Sequence, residues 1–434
     1  MHILKLTSAV EKQLLRARYH HDVEAERVAA RVVGDVRRRG DSALFAWTKK
    51  LDGIDLRSEG VWVSRGEIAS AAFHVNADFL QAVKHAAHNV RRVAVKQLPG
   101  PWTLEVEPGV SIGQVVQPIE TIGCYIPGGR NALISSLVMT AVPATVAGVP
   151  RIVVVCPRPN EELLAAAKLL GVSEIARIGG AQAVGALAYG TKSIPRVEKI
   201  FGPGNRYVTA AKQLVSSDCA IDLPAGPTEA IVLATQGNPQ WLAADLLAQA
   251  EHAPDAGSLL VTTSKTLAGK VQAAITTQLQ QLPRTNPAHV SIKRCGAIVL
   301  ASSIEAACDF VNRFAPEHLS LLSNGSALLK KCKAAGTVFV GTWAAQPLGD
   351  YASGSNHVLP TAGWARRRGG LSAADFVKCI SVQSITRKGF LRLADDVQTL
   401  AAAEGLQAHA NSVAARRANV AARFSASPLD EVER

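Results

Sequence analysis

The feature that most constrains the fold of this chain is an alternation, after about residue 100, of short β-branched runs with helical stretches rich in Ala and Leu. The helical stretches include NEELLAAAKLLG and NPQWLAADLLAQAEH, and the β-branched runs are RIVVVC, EIARIGG, EKIFGPG, EAIVLAT, SLLVTTS, GAIVLAS and GTVFVG. Strands that alternate with helices predict parallel pairing, because a crossover helix must return the chain to the same end of the sheet. The sequence therefore predicts an α/β protein with parallel sheets.

The two flanks of this region differ from it. Between about residues 20 and 100, apolar residues recur at helical spacing in VEAERVAARVVGDVRRRG and ADFLQAVKHAAHNVRRVAVKQL. From about residue 372 the chain is Ala-rich and mostly helical, with no strand signal after CISVQSI. We therefore expect a helical N-terminal region and a separate C-terminal piece.

The composition is that of an ordinary globular protein. The chain has 434 residues, enough for more than one domain, of which 48% are hydrophobic and 19% charged. No window reaches ~18 uninterrupted apolar residues, and the N-terminus lacks a signal-peptide pattern, so neither a membrane span nor secretion is expected. The seven cysteines are dispersed without a CxxC pair, which favours reduced, mostly buried thiols in a cytoplasmic protein.

The net charge of +12 has two interpretations. It could form a nucleic-acid surface, or it could belong to a basic enzyme that handles anionic ligands and carries solvated Lys and Arg elsewhere. The basic clusters VRRRG and WARRRGG are short and interrupted, and no recognition-helix or zinc-finger spacing accompanies them. The pattern favours the enzyme, with no nucleic-acid and no membrane partner.

The stretch LLAQAEHAPDAG ends a well-marked helix. Asn238 is a plausible N-cap, Pro239 occupies the first helical position, and Pro254 ends the helix. Gln249 and His252 are then neighbours on one face of its last turns. Taken alone, this pattern favours a histidine stabilised by the helix dipole beside an ordinary glutamine over a ligand pair.

Three further stretches carry candidate functional side chains. FAPEHLSLL places Glu317 beside His318 at the start of a strand-like run, which is either a general acid/base pair or a polar loop before a strand. LGDYASGSNHVLPT is a loop with Asp350 and His357 among small residues, the kind of loop that often carries function. The tail stretch AEGLQAHANSV adds two more, Glu404 and His409. The helical pair His85 and His88 is interpreted as surface histidines.

The glycine-rich stretches do not match a standard nucleotide motif. GALAYGTKS is close to a Walker A loop but has Thr191 where the lysine must stand, and FGPGN lacks the third glycine of the dinucleotide fingerprint. YIPGGR and LPAGPTEA are either tight turns or turns that bring backbone N–H groups to an anion. Cys124, beside YIPGG, is interpreted as a buried thiol rather than a nucleophile.

Taken together and in order, these stretches resemble the histidinol dehydrogenase family, whose members catalyse the last two steps of histidine biosynthesis. The match extends from about residue 39 to 415 and rests on RGDSALFAWTKKLDG, CYIPGGR, GGAQAVGALAYGT, KIFGPGN, DLPAGPTE, AQAEHAPDA, FAPEHL, GDYASGSNHVLPT and AEGLQAHA. The chain departs from the family pattern at Thr228, where many members have serine, and in NALISSLVM.

The resemblance implies an oxidoreductase with one Zn²⁺ per subunit and NAD as the hydride acceptor. The implied zinc ligands are Gln249, His252, Asp350 and His409. The family's zinc holds the imidazole and the amine of the substrate, so its role is positioning. The implied NAD contacts are Tyr125, Gln182 and Asn205.

The family reaction converts L-histidinol to L-histidinal and then to L-histidine. By resemblance, His318 takes the alcohol proton, Glu317 activates the water that attacks the aldehyde, and His318 acts again as base in the second oxidation. The substrate contacts implied in this way are Thr228, Gln249, His252, Glu317, His318, Asp350, His357, Glu404 and His409.

The resemblance also implies an architecture of two incomplete Rossmann-like domains, with small helical N- and C-terminal extensions, in an intertwined homodimer. The implied parts are the N-terminal extension (1–24), the first domain with the zinc and catalytic residues (25–124 and 231–371), the NAD-binding second domain (125–230) and the C-terminal extension (372–434). This last extension reaches the partner subunit, so Glu404 and His409 would complete the partner's site.

There are two alternatives, one with the same type of chemistry and one from a different class of function. A paralogue could apply the same zinc and NAD chemistry to another small polar alcohol, such as sulfopropanediol, but the presence of His357 and Glu404 argues against a substrate without imidazole and amine. A basic nucleic-acid-binding or structural protein with a degenerate site is disfavoured because every catalytic and metal position is filled.

Overall fold

The structure is a computed structural model that describes residues 1–18, 22–128, 132–224, 226–323 and 325–425, with side chains up to residue 417. Parts of two stretches singled out above, YIPGGR and LPAGPTEA, lie outside the described residues. The chain forms two compact units, Met1–Leu98 with Pro118–Phe376 and Pro99–Gln117 with Val377–Arg434.

The strands are, in chain order, β1 (His2–Lys5), β2 (Trp102–Glu107), β3 (Val110–Pro118), β4 (Thr121–Tyr125), β5 (Arg151–Val155), β6 (Glu174–Ala176), β7 (Lys199–Phe201), β8 (Ala220–Ile221), β9 (Glu229–Leu233), β10 (Gly257–Thr262), β11 (Gly296–Leu300), β12 (His318–Leu321), β13 (Thr337–Val340) and β14 (Val377–Ile385). Every β-branched run singled out in the sequence forms one of these strands.

The helices are α1 (Ser8–Arg16), α2 (Val23–Arg39), α3 (Asp41–Asp52), α4 (Leu56–Glu59), α5 (Arg65–Ala71), α6 (Ala77–Gln97), α7 (Ile134–Ala147), α8 (Glu161–Leu170), α9 (Gly180–Tyr189), α10 (Arg206–Val215), α11 (Pro239–Ala250), α12 (Lys265–Gln281), α13 (Ala288–Arg294), α14 (Ile304–Phe314), α15 (Gly325–Leu329), α16 (Gln346–Tyr351), α17 (Arg387–Ala403) and α18 (Gln407–Ser425). In the part of the chain that the structure describes, no helix is long and apolar enough to cross a membrane.

The first unit contains two parallel sheets, which confirms the predicted α/β class. One has six strands in the order β1-β11-β10-β9-β12-β13, and the other has five in the order β6-β5-β4-β7-β8. The direction in which strands are added reverses between β9 and β12 in the larger sheet, and between β4 and β7 in the smaller one. Such reversals open crevices at the carboxyl ends of the strands, where α/β proteins bind ligands.

Both faces of the six-stranded sheet are buried, as parallel sheets require. Alternate residues of β9 point to opposite faces, so Ile231 and Leu233 join one apolar cluster and Val232 joins another. Helix α14 packs on the first face, and α11 and α12 pack on the second.

Helix α11 begins as predicted. Asn238 is its N-cap and accepts a hydrogen bond from the backbone of Gln240, and Pro239 lies in the first turn. The helix ends at Ala250, so Gln249 lies in its last turn and is fully buried, while His252 lies just beyond the C-cap and is exposed.

The second unit has its own small sheet, in the order β14-β3-β2, and the helices α17 and α18. Strands β2 and β3 pair antiparallel, with an irregularity between Glu105 and Glu107. The predicted strand signal CISVQSI lies within β14, and the helices that follow agree with the predicted helical tail.

Several minor predictions are also confirmed. All seven cysteines are free thiols, and Cys124 is fully buried, which raises the pKa of its thiol to about 12. A thiol with that pKa is not a nucleophile near neutral pH. His85 and His88 are exposed on α6.

A buried ion pair holds the turn that follows β7. The Lys212 ammonium donates to the Asp222 carboxylate at 2.5 Å and to the Gly202 carbonyl at 2.8 Å, and the Gly202 N–H donates to Asp222 at 2.7 Å. Both charged side chains are almost completely buried. Gly202 has a φ of 106°, and a Cβ there would lie 2.2 Å from the Tyr125 carbonyl oxygen, so this turn requires glycine.

We expect Lys212→Met to destabilise the protein by about 3–5 kcal/mol, because it leaves the Asp222 carboxylate buried without its charge partner. Urea unfolding measures this free energy. Lys331→Met is the control, since its ion pair with Glu305 is exposed and contributes at most about 1 kcal/mol. Equal effects of the two substitutions would contradict the structural role given to Lys212.

Asp245 of α11 lines a cavity of about 330 Å³ with Trp241 and Ser323. Burial raises the pKa of its carboxyl from 3.8 to about 6. The folded state therefore holds the proton more tightly than the unfolded state, so this carboxyl destabilises the fold above about pH 6, and the penalty disappears as pH falls toward 4.

We expect Asp245→Asn to raise the free energy of unfolding at pH 7 by about 1–2 kcal/mol, a value reduced from the full shift because the carboxyl is partly solvated. Near pH 4 the variant and the parent protein should be equally stable. Urea unfolding at both pH values tests this. A stability difference between variant and parent that grows toward acid pH would contradict a raised pKa for Asp245.

Candidate active site

The predicted pair Glu317 and His318 lies at the amino end of β12, beside the amino end of β9. Strand pairing sets His318 against Ala230, so the side chain and backbone of Thr228 and Glu229 lie next to the pair. The turn that leads into β12 contains Ala315 in the left-handed region with a φ of 49°. The pairing of β9 with β12 therefore brings Glu317 and His318 next to Thr228 and Glu229.

The Glu317 carboxylate is buried and held by two donors from the β9 side. Its Oε2 accepts from the Thr228 hydroxyl at 2.6 Å and from the Glu229 N–H at 2.9 Å. Burial raises the pKa of Glu317, and the nearby His318 and the Thr228 hydrogen bond offset part of that shift. A buried carboxylate with a raised pKa is a stronger base than an exposed one.

His318 is a buried imidazole whose two ring nitrogens have no hydrogen-bond partner among the residues that the structure describes. Its Nδ1 lies 3.8 Å from Glu317 and its Nε2 lies 3.6 Å from Asp350, both too long for hydrogen bonds. Burial lowers the pKa of His318, but the carboxylates of Glu317 and Asp350 more than offset this, so the net pKa is raised. Unpaired buried nitrogens are costly, which is typical of a group that acts on a ligand.

Gln249 and His252 approach the same cluster from the end of α11. The Gln249 amide donates from Nε2 to the Thr228 hydroxyl at 3.0 Å and accepts at Oε1 from Gln346 at 2.7 Å. His252 directs Nδ1 at the carbonyls of Ala248 and Gln249, at 3.0 and 3.2 Å. Nδ1 therefore carries the proton, and Nε2 keeps a lone pair for a ligand.

Asp350 lies in helix α16, not in a loop as predicted, and His357 lies in the loop that follows. His357 donates from Nδ1 to the Asp350 carbonyl at 2.9 Å, and burial lowers the pKa of this imidazole, so it is neutral. Burial works to raise the pKa of Asp350, but His318, His357 and His252 outweigh it and the net pKa is lowered. Asp350 is therefore an ionised carboxylate among imidazoles.

These donors fit a zinc ion. Gln249, His252 and Asp350 offer an amide oxygen, an imidazole nitrogen and a carboxylate oxygen, and zinc accepts all three types. No group of three His, Cys, Asp or Glu side chains that could hold a metal is present in the described ranges, and this set contains only two residues of those types besides the amide. The fourth predicted ligand, His409, lies on α18, and Glu404 is the C-cap of α17, both in the second unit.

The three predicted cofactor contacts cluster at the crevice of the five-stranded sheet. Tyr125 is the last residue of β4, Asn205 follows β7 and caps α10, and Gln182 lies on α9. The Tyr125 hydroxyl accepts a hydrogen bond from the Gly180 N–H at 3.0 Å, and burial raises its pKa to about 12. This is the position where doubly wound sheets bind dinucleotides.

Gln182 is the most informative of these residues. It is fully buried and donates from Nε2 to Asp52 at 2.8 Å. Its Oε1 accepts from no group in the described part of the chain. An unpaired buried acceptor at a crevice fits a hydroxyl or amide donor of a ligand.

Sequence reasoning missed three residues that hold these groups in place. Gln346 and Asp52 bond Gln249 and Gln182, and Arg18 pairs with Glu229, donates to the Phe314 carbonyl and lies 3.7 Å above the Phe314 ring. Gln346 had a usable signal, because it precedes Asp350 by one helical turn. Asp52 and Arg18 had none, because their partners lie more than a hundred residues away.

Comparison with known proteins identifies the family. A sequence profile described as histidinol dehydrogenase matches residues 15–417. The histidinol dehydrogenase of Methanothermobacter thermautotrophicus is 44% identical over 391 residues, which cover 88% of this chain and 91% of that protein. The histidinol dehydrogenase of Aquifex aeolicus is 43% identical over 396 residues, which cover 91% of this chain and 93% of that protein.

A solved structure is also similar over nearly the whole length. The crystal structure of histidinol dehydrogenase from Elizabethkingia anophelis superimposes with a TM-score of 0.91 at 37% identity, covering 97% of this chain and 98% of that chain. Profile, sequence and fold thus agree across both units of the chain. The chain belongs to the histidinol dehydrogenase family and is an oxidoreductase.

Proposed function

We propose that this protein oxidises L-histidinol to L-histidine through L-histidinal, with NAD as hydride acceptor and zinc as the bound metal, in histidine biosynthesis. The observation that carries the proposal is the buried His318, between Glu317 and the Asp350 carboxylate, whose two ring nitrogens are unpaired within the described part of the chain. Family membership supplies the substrate, and the geometry supports the roles of the residues.

Gln249, His252, Asp350 and His409 would hold the zinc ion. Bound zinc would grip the imidazole and the amine of the substrate and so position it for reaction. The remaining substrate contacts are Thr228, His357 and Glu404. Tyr125, Gln182 and Asn205 would hold the NAD.

In the first oxidation, the residue that acts is His318. Its unprotonated imidazole, a stronger base than an ordinary histidine because the neighbouring carboxylates raise its pKa, would accept the proton of the alcohol while the carbon-bound hydrogen would leave as hydride to NAD⁺. The oxidised carbon becomes the aldehyde, and the Glu317 carboxylate beside Nδ1 stabilises the imidazolium that forms. Burial of the pair keeps bulk water away from this step.

In the second oxidation, Glu317 acts first. Both hydrogen bonds that the carboxylate accepts from the described residues end at Oε2, which leaves Oε1 to take a proton from water as the hydroxyl adds to the aldehyde carbon. The His318 imidazolium left by the first oxidation returns its proton to the new alkoxide, which gives the diol and restores the neutral imidazole, and Glu317 later releases its proton to solvent. His318 then accepts a proton from the resulting diol while a second hydride leaves to a second NAD⁺. The carboxylate thus removes a proton from water, and the neighbouring imidazole removes a proton from the substrate oxygen.

We further propose two Rossmann-like domains and a homodimer in which Glu404 and His409 complete the partner's active site. The support is that the first unit supplies three of the four predicted ligands, while His409 lies in the second unit. The domain boundaries implied by the resemblance stay a prediction. The seven free thiols support a cytoplasmic location.

The proposal predicts two NADH per L-histidinol consumed, with L-histidine as product. In Glu317→Gln we expect the first oxidation to persist and the second to fall by about 10²–10⁴-fold, because the base for water is lost. Histidinal should then accumulate at one NADH per histidinol. NADH absorbance with chromatographic identification of the product measures both quantities.

The control is Glu305→Gln, an exposed acid on α14, which should retain full stoichiometry. A Glu317→Gln enzyme that still makes histidine at the parent rate would remove Glu317 from the hydration step. Turnover of another small alcohol but not of histidinol would move the protein to the paralogue interpretation.

The second prediction concerns the metal. Chelation should abolish turnover, and added zinc should restore it. His252→Ala should weaken zinc binding by more than about 100-fold, because loss of a residue that merely supports a ligand already lowers metal affinity by about 10–100-fold. Competition with a chromophoric chelator measures the affinity. His88→Ala, at an exposed histidine of α6, is the matched control, and equal affinities for the two variants would exclude His252 as a ligand.

A further inference from the structure

We propose that Gln346 is a positioning residue that holds the amide of Gln249 in the orientation needed for metal binding and, through Thr228, fixes the Glu317 carboxylate. The inference rests on the proposed function, because it assumes Gln249 as a zinc ligand and Glu317 as the base for water. Gln346 donates to the amide oxygen of Gln249 and reaches Glu317 only through Gln249 and Thr228.

Four side chains form an uninterrupted hydrogen-bonded relay, in which Gln346, Gln249 and Glu317 are buried and Thr228 is half-buried. Gln346 Nε2 donates to Gln249 Oε1 at 2.7 Å, Gln249 Nε2 donates to Thr228 Oγ1 at 3.0 Å, and the Thr228 hydroxyl donates to Glu317 Oε2 at 2.6 Å. Gln346 is 3% exposed and Gln249 is 0% exposed, so the hydrogen bond between these two amides is shielded from water. The relay joins a candidate ligand to the candidate base.

The charged end of the relay sets its direction. An ionised Glu317 can only accept, so the single proton of the Thr228 hydroxyl is used on it. Thr228 must then accept from Gln249, which requires that Nε2 of Gln249 face Thr228 and that Oε1 face the other way. Gln346 lies on the Oε1 side of Gln249 and presents its Nε2 donor to that oxygen. If the Gln249 amide were rotated by 180°, its NH₂ group would face the Gln346 NH₂ group, and neither could accept.

The same hydrogen bond ties together the two helices that carry candidate ligands. Gln249 lies in the last turn of α11, and Gln346 and Asp350 lie one turn apart on α16, both buried. A carbonyl oxygen has two lone pairs, so Gln249 Oε1 can accept from Gln346 and still offer a pair to zinc. Without Gln346, the Gln249 amide could rotate, and the distance between α11 and α16 would no longer be held by this hydrogen bond.

The test compares Gln346→Leu with the parent protein. We expect the apparent Kd for zinc to rise by 10–100-fold, the usual range for loss of a group that orients a ligand. We also expect more histidinal to be released per histidine formed, because Glu317 is less well aligned. Chelator competition on the full-length protein gives the first quantity, independently of turnover.

The matched control is Gln272→Leu on α12, which also removes one amide hydrogen bond, to the Met1 carbonyl at 2.8 Å. A merely structural role for Gln346 predicts that both variants lower the thermal midpoint of the metal-free protein and leave the zinc Kd unchanged. A positioning role predicts a raised zinc Kd in Gln346→Leu alone.

Gln249→Leu separates the two levels of inference. If it does not weaken zinc binding, the proposed ligand set fails and the inference falls with it. If it does, while Gln346→Leu and Gln272→Leu both bind zinc like the parent, the role of Gln346 alone is overturned. Should Gln346→Leu not fold, Gln346→Met keeps the unbranched shape without the donor, and the same results decide.

Discussion

The site depends on one interaction, the capture of the buried Glu317 carboxylate by the Thr228 hydroxyl and the Glu229 N–H. A carboxylate cannot be buried without donors, because desolvation would cost several kcal/mol, on the order of that for any unpaired buried ion. The donors come from the amino end of the adjacent strand, β9. The pairing of β9 with β12 is therefore what allows Glu317 and His318 to stand at the start of a buried strand.

The two parallel sheets use opposite edges for their candidate sites. In the six-stranded sheet the chemistry gathers at the amino ends of β9 and β12, where helix α11 ends and α16 begins. In the five-stranded sheet the cofactor residues gather at the carboxyl ends of β4 and β7, the usual ligand edge. The carboxyl edge of the larger sheet is left with a cavity at Asp245, which the proposed reaction does not use.

The sequence alone pointed to many of the candidate site residues. Glu317 and His318 stood out as an acid and an imidazole at the start of an apolar run, and Asp350 and His357 stood out in a stretch of small residues. The structure brings all four together. Gln249 and His252 were not separable from an ordinary helix end by pattern alone. What distinguishes them is that Gln249 is fully buried and that His252 binds backbone carbonyls through Nδ1.

The sequence by itself determined the class of each element, because apolar periodicity, N-caps such as Asn238 and prolines such as Pro239 act within a few residues. It also determined the buried, unreactive state of Cys124 and, through ordered motifs, the family. Only the tertiary structure decided that Gln346 would meet Gln249, and that Thr228 would meet Glu317 across 89 positions of sequence. Periodicity, caps and prolines do not predict the order of strands in a sheet. That order is what brings such distant donors and acceptors within hydrogen-bonding distance.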